Sequence, residues 1–157
     1  MRAYVKNVID CKSEYEDEFL YACEVDREVT MKNIFIAMDY SNKHWVGKDK
    51  GKSGLRRWAE NGAGLKIVNM SQFPQDGEFS FDAKIYKPLG IRVYVNDELV
   101  FDKYFTNFSQ KAKISADVEN ILPGENEVTI GVYAADGSEI LSDKKKDVPA
   151  IYDVKIE

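Results

Sequence analysis

The chain has 157 residues, 44% of them hydrophobic and 31% charged, with a formal net charge of −5. That length supports one domain with its own core. The acidic balance argues against general nucleic-acid binding, which needs a basic footprint, and no apolar run approaches the ~18 residues of a membrane span. Residues 2–9 alternate polar and apolar residues as a strand does, with no apolar signal core. The expectation is therefore synthesis without a signal peptide, and residence in the cytoplasm or in a virion or other assembly. Cys11 and Cys23 match no zinc spacing, and reducing compartments keep such thiols free; whether the two pair stays open.

Residues 14–25 are ambiguous. Phe19, Tyr21, Cys23 and Val25 share one face of a strand, whereas Ser13 with Glu16 could cap a helix. Val29 to Met38 is β-branched and apolar, as a buried strand is. Residues 41–64 differ in kind: rich in Gly and Lys, with both tryptophans and a short helical candidate, Leu55-Arg-Arg-Trp-Ala-Glu60, stopped by Asn61-Gly62. We expect an irregular excursion there, the usual place for a binding surface. From Leu65 strands return at a regular spacing: 65–70, 78–86, 91–95, 99–101, 112–118, 128–133, 139–141 and 151–156. Turn signals at Pro74–Gly77, Lys87–Gly90, Asn96-Asp97, Pro123-Gly124 and Asp136-Gly137 separate them. This pattern predicts an all-β, antiparallel β-sandwich spanning 1–157 as one domain.

Five stretches point further. They are Tyr94-Val-Asn-Asp-Glu-Leu-Val100, Tyr104-Phe-Thr-Asn-Phe108, Ile114-Ser-Ala-Asp-Val118, Ile121-Leu-Pro-Gly-Glu-Asn-Glu-Val-Thr-Ile130 and Ala150-Ile-Tyr-Asp-Val-Lys-Ile-Glu157. In this order they resemble the galactose-binding-like jelly roll, as in the sugar-binding domain of family-2 glycosidases. That family has a V-x-V-N-G hairpin, an L-x-P-G-E-N turn and a closing aromatic-x-D-V strand. The resemblance covers the C-terminal half. Asp97 stands where the hairpin glycine is usual, and the last stretch lacks the arginine expected before Asp-Val. The family's catalytic carboxylates lie in a separate barrel, so the resemblance implies a jelly roll without catalysis. An immunoglobulin- or fibronectin-like sandwich shares the Pro-Gly turn and is the runner-up fold.

Chemistry is sparse in the residues themselves. Gly47-Lys-Asp-Lys-Gly51-Lys52-Ser53 falls one residue short of a phosphate-binding loop, and no βαβ unit seats it. His44 is the one histidine, too few for catalytic zinc and a poor start for a triad. Asp136-Gly-Ser-Glu139 lacks the alternating ligands of a calcium loop. We therefore expect no catalytic residues, no metal and no cofactor. The candidate binding residues are Tyr40, His44, Trp45, Lys48, Lys50, Lys52, Arg56, Arg57 and Trp58: the basic stretch Lys43–Arg57, which holds six cations against Asp49, together with aromatic rings that either stack on sugars or pack into a core. The function expected first is a non-enzymatic structural or adaptor module, such as a virion accessory or surface-layer component, with protein partners or copies of itself. A stand-alone carbohydrate-binding module with a glycan ligand is the alternative.

Overall fold

Strict alternation of buried and open side chains makes Ala63–Asn69 a strand with one wet face, and the same pattern recurs along the chain. In the computed structural model residues 33–38, 42–51, 54–142 and 144–157 are described; the expectations for residues 2–9, 14–25, Cys11, Cys23, Tyr40 and Lys52 lie outside them. Among the described residues ten strands form: β1 Ile34–Met38, β2 Trp45–Gly51, β3 Gly54–Ala59, β4 Ala63–Asn69, β5 Gln75–Ile85, β6 Leu89–Val95, β7 Glu98–Phe105, β8 Gln110–Ile121, β9 Gly124–Tyr133 and β10 Ala150–Ile156. One sheet runs β1-β4-β9-β6-β7 and the other β2-β3-β10-β5-β8.

The pairing defines the fold. β6 pairs with β7, β5 with β8, β4 with β9 and β3 with β10, all antiparallel. These nested pairs fall alternately in the two sheets, which is how a double-stranded ribbon wraps into a jelly roll. The described chain is therefore a jelly-roll sandwich, and the immunoglobulin-like runner-up gives way. Between the sheets lies one apolar layer that includes Ile67, Phe79, Phe81, Ile85, Ile91, Ile114, Ile130 and Val132, all fully buried.

Two turns show why the sequence wraps there. Asn96 and Asp97 link β6 to β7 with φ of 50° and 70°. A two-residue hairpin needs both residues left-handed, and Asp tolerates that region well enough to replace the usual glycine. The β8–β9 turn is held from inside by Asn126, which is fully buried. Its Nδ2 donates to the carbonyls of Leu122 (2.8 Å), Ile67 (3.1 Å) and Gly124 (3.2 Å). Its Oδ1 accepts from the Leu122 amide (2.9 Å) and from Asn96 Nδ2 (2.8 Å). The last residue of the Pro-Gly-Glu-Asn stretch thus ties both turns and β4 together, satisfying polar groups that would be costly to bury unpaired.

Most of the described part of the excursion expected at 41–64 is instead sheet. β2 and β3 form a hairpin, with Lys48 opposite Arg57 and Lys50 opposite Leu55, and the helical candidate 55–60 lies on β3. A six-residue segment gains little as an isolated helix, whereas pairing with β2 and β10 satisfies its backbone on both sides. The expected strand 139–141 reduces to one bridge, Tyr133 to Glu139.

Candidate functional site

Both tryptophans are core residues. Trp45 is 7% exposed and Trp58 5%, so neither offers a ring face for stacking on a sugar. Trp45 Nε1 donates to the Gly64 carbonyl at 2.9 Å. Trp58 lies on the outer side of its sheet in a small separate core with Val148 and Ala150, stacked on Tyr86 at 5.4 Å between centroids. His44 is locally bonded, its Nδ1 2.7 Å from Glu60 Oε2, and Glu60 Oε1 accepts the Ser142 amide at 3.1 Å. Lys48 and Lys50 lie on β2, Arg56 and Arg57 on β3. Among the described residues, the two tryptophans are therefore packed rather than set out as an open aromatic surface.

An aromatic surface exists elsewhere, on the outer face of the other sheet. Cross-strand register builds it in rungs over β9, β6 and β7. Gly90 stands opposite both Tyr133 and Tyr104, and Arg92 opposite both Gly131 and Asp102. Tyr94 stands opposite Thr129 on β9. The inner face of these same strands carries Ile91, Val93, Ile130 and Val132, so strand parity alone sends Tyr94, Tyr104, Tyr133 and Arg92 outward.

Glycine at position 90 is what lets the face lie flat. A β-carbon there would fall 2.1 Å from Tyr133 Cζ and 2.4 Å from both Cε atoms, so the Tyr133 ring lies directly on the β6 backbone. From there it reaches across to β7, where its hydroxyl donates to Asp102 Oδ1 at 2.5 Å. Arg92 Nε donates to Asp102 Oδ2 at 3.1 Å, and its guanidinium carbon sits 4.0 Å from the Tyr133 ring centroid. Tyr104 flanks that ring at 6.1 Å and 44°. Gly131 leaves space for the Arg92 stem and the edge of Tyr94, which a β-carbon would meet at 3.3 and 3.6 Å.

The electrostatics follow from this geometry. The Tyr133 hydroxyl, and then the Arg92 guanidinium, hold the Asp102 carboxyl below the usual carboxylate range. Partial burial, and then the Asp102 charge, push the Tyr133 phenol up. Hydrogen bonding to Asp102 keeps Arg92 more firmly protonated than usual. At neutral pH the face therefore presents a fixed ion pair between tyrosine rings. Arg92 bonds Asp102 through Nε, and a guanidinium has two further nitrogens that can donate.

Sequence reasoning singled out the Tyr104 and Tyr133 stretches only as scaffold. The signal that identifies them is parity: Tyr94, Tyr104 and Tyr133 each sit next to a core residue on three adjacent strands, and Tyr104 and Tyr133 both stand opposite Gly90. Register across β6, β7 and β9 has to be known before that signal can be read.

No protein-family model matches the chain, and no curated protein does. Among solved structures it is similar to the CBM36-1 domain of a multidomain xylanase from the hindgut metagenome of Trinervitermes trinervoides, at 14% identity over 80% of this chain and 97% of that one, with a TM-score of 0.42. A family 35 carbohydrate binding module from Clostridium thermocellum is 15% identical over 77% of this chain and 86% of that one, TM-score 0.40. An exo-β-1,3-galactanase from Phanerochaete chrysosporium is 14% identical over 82% of this chain but 29% of its own, TM-score 0.46. These are distant likenesses of fold; the jelly-roll assignment stands on the strand pairing of this chain.

Proposed function

We propose that this chain is a non-catalytic glycan-binding module whose ligand lies along the outer face of β9, β6 and β7. The observation that carries this reading is the rung pattern Tyr133–Gly90–Tyr104 and Gly131–Arg92–Asp102, which sets tyrosine rings and a locked ion pair side by side. Saccharides present apolar C–H faces alternating with hydroxyl pairs. Aromatic rings take the faces, and a guanidinium with spare donors beside a carboxylate takes the hydroxyls. Both polar groups are already held in place, so little side-chain freedom is lost on binding. The face is open rather than enclosed, which suits the side of an extended chain and predicts weak affinity, with Kd of about 10 μM to 1 mM.

Affinity electrophoresis in gels carrying neutral or uronate-containing polysaccharides tests this. The wild-type chain is expected to be retarded by at least one polymer. Arg92→Ala and Tyr104→Ala, both at open positions, should each release it while unfolding at the wild-type temperature within a few degrees. A panel with no retardation, or retardation that survives the double variant, would refute the proposal.

The assembly role expected first, as a virion accessory or surface-layer component, is a second reading. On its side stand exposed Leu99 (48%) and Leu122 (51%) at the rim of an acidic cleft.

A further inference from the structure

At one end of the sandwich, a cleft of about 440 Å³ lies between the start of β7 and the end of β8. Val95, Val100 and Val118 line it together with Leu99 and Leu122, and Glu98, Asp117 and Glu119 supply its charge; among the described residues no lysine or arginine lines it. Three carboxylates around apolar side chains favour an occupant with ammonium groups on aliphatic stems, which lysine provides.

The cleft's position narrows the choice. Among the described residues β7 ends one sheet and β8 ends the other, so on the far side of each strand a row of backbone amides and carbonyls faces away from its sheet. Such an edge accepts an additional extended strand. At the opposite end of the β8 sheet stands β2, an edge strand of sequence Trp-Val-Gly-Lys-Asp-Lys-Gly. It lies within the stretch Lys43–Arg57, whose six cations face one Asp. One sheet thus has a basic edge strand at one side and, at the other, an edge strand whose end forms an acidic cleft. Charge complementarity of that kind selects a partner and a register.

We infer that the cleft receives the β2 edge of a second copy of this chain, the strand that carries Lys48 and Lys50 in sequence, so that the sheet continues from one copy into the next. The contact is head-to-tail and therefore heterologous, producing open chains or rings rather than a closed two-fold dimer. It uses none of Arg92, Tyr104 or Tyr133 and stands independently of the glycan proposal.

Sedimentation velocity of the full chain over a concentration series, about 5 to 300 μM, is the test. In 50 mM NaCl the weight-average mass should rise with concentration. In 0.5 M NaCl it should fall to the monomer, because screening removes exposed charge pairs. The acidic-cleft variant Glu98→Lys/Asp117→Lys/Glu119→Lys and the edge variant Lys48→Glu/Lys50→Glu should each stay monomeric in low salt. Mixing one variant with the other makes both junctions complementary, wild-type edge with wild-type cleft and glutamate edge with lysine cleft, so the mixture should associate in low salt although neither variant does alone. A wild-type chain that is monomeric throughout overturns the inference, as do association that either variant leaves intact and mixtures that stay monomeric. Far-UV circular dichroism of each variant confirms that the charge changes leave the sandwich folded.

Discussion

Trp58 and Tyr133 both stand on outer sheet faces, yet one is sealed and the other stays partly open. After its last long strand the chain returns over the Trp58 face. Residues 145–147 form a single turn of 3-10 helix, and Val148 then packs beside Trp58 and Ala150. Asp147 fastens this return by pairing with Lys87 Nζ at 2.5 Å and accepting the Ser142 hydroxyl at 2.9 Å. The Tyr133 face is organised by polar bonds within its own three strands, and Tyr94, Tyr104 and Tyr133 keep intermediate exposure. An outer-face aromatic ring therefore serves packing where the chain crosses it, and remains available to a ligand where only its neighbours on the sheet hold it.

Removing Trp58 should separate the two faces most sharply. Trp58→Ala deletes a buried ring, and such losses cost about 3–5 kcal/mol. Urea unfolding should show a drop of that order with glycan retention per folded molecule unchanged. A drop below about 1 kcal/mol would mean the second core contributes little.

Gly90→Ala should do the reverse. The new β-carbon evicts the Tyr133 ring, and because the obstructing atoms belong to the far end of a side chain near the surface, the ring can swing away. Stability should change by about 1 kcal/mol or less, in the range of ordinary surface substitutions, while glycan retention is lost. Unchanged retention would show that the ring's seat on β6 is irrelevant to binding.

The smallest effect is on a proton. Tyr133→Phe removes the largest cause of the low Asp102 pKa, so the carboxyl should titrate closer to the ordinary value of about 3.9. The sign follows from linkage. A carboxyl with a lowered folded-state pKa contributes stability above the unfolded pKa and loses that contribution as pH falls through the folded one. Between pH 5 and 8 the ion pair is thus complete in wild type and variant alike, and the difference emerges only in acid. Carbon-detected NMR titration of the Asp102 carboxyl checks this. A lower pKa in the variant would contradict the assigned hydrogen bond.

Much of the fold was legible because its causes are local. Alternation at 78–86 and turn residues at 96–97 and 123–124 act over a few neighbours, and each reappears in the strands and turns observed. Residues 41–64 misled for the same reason. Gly47, Gly51, Gly54 and the lysines weaken any local strand signal, and the hairpin forms because β10 offers β3 a partner some 90 residues away in sequence, as the Ala150–Trp58 pairing shows. For the tryptophans the sequence leaves stacking and core packing both open, because the burial of Trp58 depends on Val148 and Ala150, remote residues that no local pattern announces. Tyr104 and Tyr133 become neighbours only through Gly90, across two register alignments.

The central claim is that the tyrosine face of β6, β7 and β9 is the glycan site. Its most direct test is an NMR titration of the chain carrying ¹³C-labelled tyrosine rings with soluble neutral and uronate oligosaccharides. Ring resonances of Tyr94, Tyr104 and Tyr133 should shift together and saturate, while those of Tyr86, stacked on Trp58, and Tyr152, 8% exposed, stay in place. Rings that stay still at millimolar oligosaccharide, or shifts confined to Tyr86 and Tyr152, would contradict the account.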